Sequence, residues 1–239
     1  MSSAAIDMRN VRKRFANATI LDGLNLEVPS GSIFALVGAH GAGKTTCIKT
    51  LLNFAVADAG TINLFGRDHR HSAARSRLAF LPERFLPPHH LTGFEFLDYM
   101  ARLHGNEPDH QRAAEAVARL DLDPAVLVRA ARSYSKGMAQ KLGLAACLMS
   151  GKDLLILDEP MDGLDPKARL LVKRLMGELR EQGRGVFFST HVLADAQAVC
   201  DCLAILHLGK VRFIGSPQQC MAEYGGQDLE QAYLNCIDA

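Results

Sequence analysis

No run in this chain approaches the ~20 apolar residues that a membrane-spanning helix needs, which excludes an integral membrane span within the sequence. The first ten residues, MSSAAIDMRN, lack a basic start followed by an apolar stretch, so no secretory leader is read there and the expected compartment is the cytosol. Neither sign of charge is in excess. Lys and Arg total 27 against 26 Asp and Glu, a net charge of +1, which excludes a global electrostatic footprint for nucleic acid or anionic lipid, though not a local patch. Tryptophan is absent, which by itself excludes no function. Internal repeats and low-complexity segments are missing too, so the chain does not read as a solenoid or a biased tail. The six cysteines lie in apolar or helical contexts and read as reduced, small hydrophobes; Cys200-x-Cys202 is neither a zinc nor a redox spacing.

What is present is an ordinary globular composition, 48% hydrophobic and 22% charged over 239 residues, enough for a sizeable core. Within it stands GAHGAGKTT, Gly38 to Thr46, which contains G-x-x-x-x-G-K-T. The run before it, Ile33 to Val37, is short, continuous and apolar, as a strand buried on both faces should be. The run after it, Cys47 to Phe54, has helical spacing at Ile48, Leu51 and Leu52. Strand, glycine loop and helix together predict a phosphate site. Backbone N–H groups of Gly38, Ala39, His40, Gly41, Ala42 and Gly43 curl around an anion, helped by the positive end of the helix. Lys44 is predicted to reach the β- and γ-phosphates, the Thr45 hydroxyl to ligate Mg²⁺, and Thr46 to complete the cradle.

The rest of the chain reads in order as follows. Ile6 to Phe15 and Thr19 to Val28 are strands joined by Ala16-Asn17-Ala18. Phe15 is either a core aromatic or a stacking face for a base. Gly60 to Gly66 is a short strand, and LAFLPE at 78–83 another, stopped by Pro82. Residues 83–152 read as an all-helical insertion, with helices over Thr92–His104, Glu107–Leu120 and Lys136–Met149. Asp153 to Leu157, Gly185 to Ser189, Leu203 to Leu208 and Lys210 to Ile214 return as strands. Pro166–Glu181, Val192–Cys200, Ser216–Tyr224 and Asp228–Ile237 read as helices.

Further candidates follow from strand ends. Leu154 to Glu159 puts Asp158 and Glu159 at the C-terminal end of a buried strand, the edge where doubly wound sheets bind ligands. An Asp there can hold Mg²⁺, and its neighbour Glu can activate a water for attack on a γ-phosphate; the bland alternative is a pair of solvated turn acids. His191 ends another buried strand at the same edge, as a structural histidine or a γ-phosphate contact. Ser135 precedes a helix, as a cap or as part of an anion site. That site lies in the helical insertion, so it points to completion by another subunit.

These pieces, in this order, resemble the ATP-binding cassette ATPases, the nucleotide-binding subunits of ABC transporters, from about Ile6 to Tyr224. GAHGAGKTT resembles the Walker A motif, with Ala39 and His40 replacing the more usual Pro-Asn. LLILDEP at 154–160 resembles Walker B with Glu159 as catalytic glutamate. YSKGMAQK at 134–141 resembles the signature motif, with Lys136 replacing its first glycine and Ser135 and Gly137 retained. GLD at 163–165, which contains Asp165, is similar to the D-loop, and His191 to the switch histidine. Phe15 stands where the family places its adenine-stacking aromatic, and Glu83 where it usually has the Q-loop glutamine. Glu83 keeps a metal-seeking oxygen but adds charge.

The resemblance implies an α/β fold: a P-loop, RecA-like ATPase core (1–82 and 153–239), an N-terminal antiparallel β-subdomain and an inserted helical subdomain (83–152), all in one ATP-binding domain. It implies ATP and Mg²⁺ as cofactors, a second ATP-binding cassette (a homodimer) and a separate integral-membrane permease as partners, and a place on the cytoplasmic face of the inner or plasma membrane. The YSKGM signature with a glutamate Q-loop resembles the single-cassette branch paired with ABC-2-type membrane proteins, mostly exporters. The alternative is a soluble cassette ATPase acting on nucleic acid or ribosomes; such relatives fuse two cassettes or insert coiled coils, and neither is present here. A P-loop GTPase or kinase is disfavoured, since no Asn-Lys-x-Asp pattern appears. Phe85-Leu86-Pro87-Pro88 is apolar for a loop, and Tyr99 falls beside the polar face of Glu95, Asp98 and Arg102. This surface is expected to receive a helix of the permease, unless Phe85 and Leu86 fold back on the insertion.

Overall fold

The structure, a computed structural model, describes residues 4–16 and 18–239. Asn17, in the predicted first turn, lies outside the described residues. Strands β1 (Ala4–Phe15) and β2 (Ala18–Pro29) form an antiparallel pair. Ile6, Met8 and Val11 of β1 are buried while Arg9, Arg12 and Arg14 face out. The three-residue step from Met8 to Val11 is a bulge, with Asn10 at φ 49°, which restores the inward alternation.

The six strands of the second sheet are β3 (Ile33–Val37), β6 (Leu78–Leu81), β7 (Leu154–Asp158), β8 (Gly185–Thr190), β9 (Cys202–His207) and β10 (Lys210–Gly215), in the order β10-β9-β3-β8-β7-β6. Only β10 runs antiparallel to its neighbour. In β3, Ile33, Ala35 and Val37 join one core cluster, while Phe34 and Leu36 join another. Both faces are therefore covered, which is why the strand reads as an unbroken apolar run.

The smaller sheet is completed by β4 (Ala59–Leu64) and β5 (Arg67–Asp68), in the order β2-β1-β4-β5. Helix α1 (Lys44–Leu51) contributes Cys47, Ile48 and Leu51 to the cluster shared by the two sheets. A single-turn helix, α2 (Ser72–Arg75), follows β5. Between β6 and β7 the chain is helical: α3 (Gly93–Leu103), α4 (His110–Ala118) and α5 (Lys136–Met149), with 3-10 turns at Pro124–Val128 and Ala131–Ser133. The remaining helices are α6 (Pro166–Glu181), α7 (Leu193–Val199), α8 (Pro217–Tyr224) and α9 (Leu229–Asp238).

Some expectations shift. Helix α1 starts at Lys44, not Cys47, because Gly43 in the left-handed region lets the Cys47 N–H reach its carbonyl at 2.8 Å. Helix α4 starts at His110, not Glu107: Pro108 precedes it, and the Asp109 side chain accepts from the Arg112 N–H as the cap. On α3 the residues Phe96, Leu97 and Ala101 are buried. Phe85 is not part of the outward surface. Its ring packs 5.5 Å from that of Phe96, and Gly143 of α5 leaves it room. Leu86 and Tyr99 do point out, 74% and 52% exposed.

Candidate active site

The glycine loop leaves β3 at the C-terminal edge of the sheet. Gly38 admits no side chain, because a Cβ there would run into the Leu206 carbonyl. At Gly43 the backbone has φ 109° and lies against the Ile20 carbonyl. Lys44, at the start of α1, is buried. Its ammonium donates to the carbonyls of Gly38 at 2.8 Å and Ala39 at 3.3 Å, and stands 3.2 Å from Glu159 Oε1. The Ala39 N–H donates to the Tyr233 hydroxyl of α9 at 3.2 Å. A proline at 39 would have no N–H to give.

Parallel register brings the other pieces to the same edge. Asp158 of β7 pairs with Ser189 of β8, and Val37 of β3 with Thr190. The Ser189 hydroxyl donates to Asp158 Oδ1 at 2.5 Å and accepts from the Glu159 N–H at 2.9 Å, so one side chain fixes both acids. Glu159 has φ 48°, a left-handed conformation that a non-glycine residue adopts at a cost and that recurs at functional sites. Its Oε2 accepts from the His191 N–H at 3.3 Å and lies 3.0 Å from His191 Nδ1. The His40 ring stands 4.4 Å from that of His191. Lys44, Glu159 and His191 thus form one line of charged and polar groups.

Burial pushes the Asp158 carboxyl above its ordinary range; the Ser189 and Thr45 hydroxyls pull it back, and the negative charges of Glu83 and Glu159 raise it again. Among the described residues no group of three or more acidic, His or Cys side chains stands close enough to hold a metal by itself, so a cation here draws on the hydroxyl and on the phosphates as well. Thr45, Asp158 and Glu83 offer hard oxygen donors, the set that suits Mg²⁺. Beside them opens a cleft of about 280 Å³, bordered by Ile20, His40, Gly41, Gly43, Lys44, Thr45, Thr46, Glu83 and Glu159.

Other predicted residues lie outside this cleft. Phe15 sits at the tip of β1, half exposed, with the Lys13 ammonium 5.0 Å over its ring; Ile20 supplies the apolar border. Ser135 caps α5, accepting from the Met138 N–H at 3.2 Å, and Gly137 approaches the Gly163 carbonyl. Asp165 caps α6, accepting from the Ala168 N–H at 2.9 Å. Sequence reading assigned no role to Ser189, Tyr233 or Ile20. The first had a signal, since Ser-Thr-His ends a strand that pairs with the one ending in Asp-Glu.

The profile of the family described as ABC transporter matches residues 21–162, more than half of the chain. The chain belongs to the ABC transporter family. It is similar to the Nod factor export ATP-binding protein I of Burkholderia orbicola, 35% identical over 239 residues, covering 98% of this chain and 78% of that protein. It is also similar to an uncharacterised ABC transporter ATP-binding protein of Synechocystis, 37% identical, over 86% of this chain but only 58% of that longer protein. A solved ATP-binding subunit of an ABC transporter superposes with a TM-score of 0.89 at 29% identity, covering 97% of this chain and 99% of that one. Family membership makes this chain an ATP-binding cassette of the ATPase class, built on the P-loop fold that the phosphate loop announced. No helix among the described residues is long and apolar enough to cross a membrane.

Proposed function

We propose that this cassette is the engine of an exporter: two copies enclose ATP between them, and hydrolysis drives a separate membrane permease. The carrying observation is that Lys44 and Glu159 border one cleft and that Glu159 pairs with both Lys44 and His191. The loop N–H groups and Lys44 hold the phosphates. Glu159 accepts the proton of a water that attacks the γ-phosphorus in line; the bond from that phosphorus to the bridging oxygen breaks, releasing ADP and phosphate. His191 orients Glu159 and contacts the γ-phosphate. Thr45, Asp158 and Glu83 would hold a Mg²⁺, which would supply neutralising charge to the phosphate oxygens. Phe15 stacks on the adenine.

Ser135, Gly137 and Asp165 stand away from the cleft of their own chain, which supports their serving the nucleotide of a second copy. The Nod factor export relative, matched over almost this whole chain, supports export and work at the cytoplasmic face of the membrane. The permease contact is assigned to the exposed Leu86, close after Glu83 in sequence, and to the exposed Tyr99 of α3. Replacing both by Ser should release the cassette from membranes that hold its permease, with melting temperature and soluble ATPase activity unchanged. Co-sedimentation with those membranes measures this; undiminished association would refute the contact.

A further inference from the structure

The turn that follows Glu159 is held from the helical insertion. Lys136, the first residue of α5, reaches across to Asp162, with its ammonium 2.7 Å from Oδ2. Its methylenes lie along Gly163, where a Cβ would come within 3.2 Å of them. Asp162 in turn donates its N–H to the Glu159 carbonyl at 3.1 Å, closing the turn that begins at Glu159. One helical turn further along α5, the buried Gln140 donates to the Pro160 carbonyl at 3.1 Å. Two side chains of one helix therefore grip the residues just after Glu159, whose own backbone sits in the left-handed region. A strained conformation of this kind persists only where its surroundings hold it. The Asp162 carboxyl is held below its ordinary range, first by the hydrogen bond from Lys136.

We infer that Lys136 is a positioning residue for Glu159, acting through Asp162: the signature-like loop of the insertion sets the catalytic geometry in its own chain. This rests on Glu159 being the general base. A glycine at 136, the residue more usual there, would have no side chain with which to make this tie. The ion pair is exposed, so its effect is modest and sensitive to salt.

The experiment compares Lys136→Glu, Asp162→Lys and the exchanged double variant in full-length protein. Each single reversal should lower kcat about three- to tenfold, with KM for ATP within about twofold of wild type. The double variant should recover most of that loss. Lys136→Met keeps the packing on Gly163 and tests the charge alone: its deficit relative to wild type should shrink at about 1 M salt, where the Debye length is about 3 Å. If the double variant is as impaired as Lys136→Glu, Lys136 acts elsewhere, on a phosphate for instance, and the proposal falls. A rise in KM at unchanged kcat overturns it as well. Glu159→Gln in the same assay separates the two readings. Full turnover there removes the base and the proposal with it; an inactive Glu159→Gln beside an unrescued exchange removes only the coupling.

Discussion

Glu159→Gln is expected to bind ATP like the wild type and to lose about 10²- to 10⁴-fold in turnover, the usual contribution of a positioned general base. The amide keeps the volume of the acid, and its oxygen can still accept from His191, so the line from Lys44 to His191 loses charge rather than shape. The Glu159 N–H still donates to Ser189, which preserves the backbone conformation. Proton acceptance disappears, and with it the ion pair to Lys44, which the amide nitrogen cannot replace. Steady-state phosphate release measures the loss, and equilibrium titration with a fluorescent ATP analogue checks the binding. Turnover near the wild-type value would place the base elsewhere.

Lys44→Ala is expected to weaken ATP binding about 10- to 100-fold, the scale of losing charge-assisted hydrogen bonds worth about 1.5–3 kcal/mol, with turnover falling at least as far. Lys44 is the one lysine or arginine of the loop, and it is buried against the Gly38 carbonyl. Its loss also takes from Glu159 one of two partners in a buried setting. The same titration and turnover assays read both effects. Wild-type values in both would mean that Gly38 to Thr46 is not the nucleotide site.

How much of this was legible depended on the range of each signal. The strand Ile33–Val37 and the helices Pro166–Glu181 and Lys136–Met149 have the bounds the residues suggested. In each, a local cue coincides with the tertiary role: a doubly buried run, a proline at the first turn, a serine cap. The glycine loop, Asp158, Glu159 and His191 were legible for a related reason, since all stand at ends of strands whose apolar runs are plain. What escaped depends on single residues brought in from far along the chain. Tyr233 meets Ala39 across most of the sequence, and Ser189 reaches Asp158 only through strand register. No periodicity announces such contacts. Phe85 shows the opposite limit: an apolar loop residue reads as exposed until the space beside Gly143 is known. The pieces Arg67–Asp68 and Ser72–Arg75 are too short to carry a pattern at all.

The measurement that bears most directly on the central claim is complementation between two inactive chains. Ser135→Arg blocks the signature-like loop and Lys44→Ala disables the phosphate loop. If each site takes its phosphate loop from one chain and its signature from the other, a mixed dimer keeps one of two sites intact. An equimolar mixture, half of it mixed dimers, should then show about one quarter of wild-type turnover, where either variant alone shows almost none. Mixed dimers verified by differential tagging, with turnover no higher than the better of the two variants, would contradict the account.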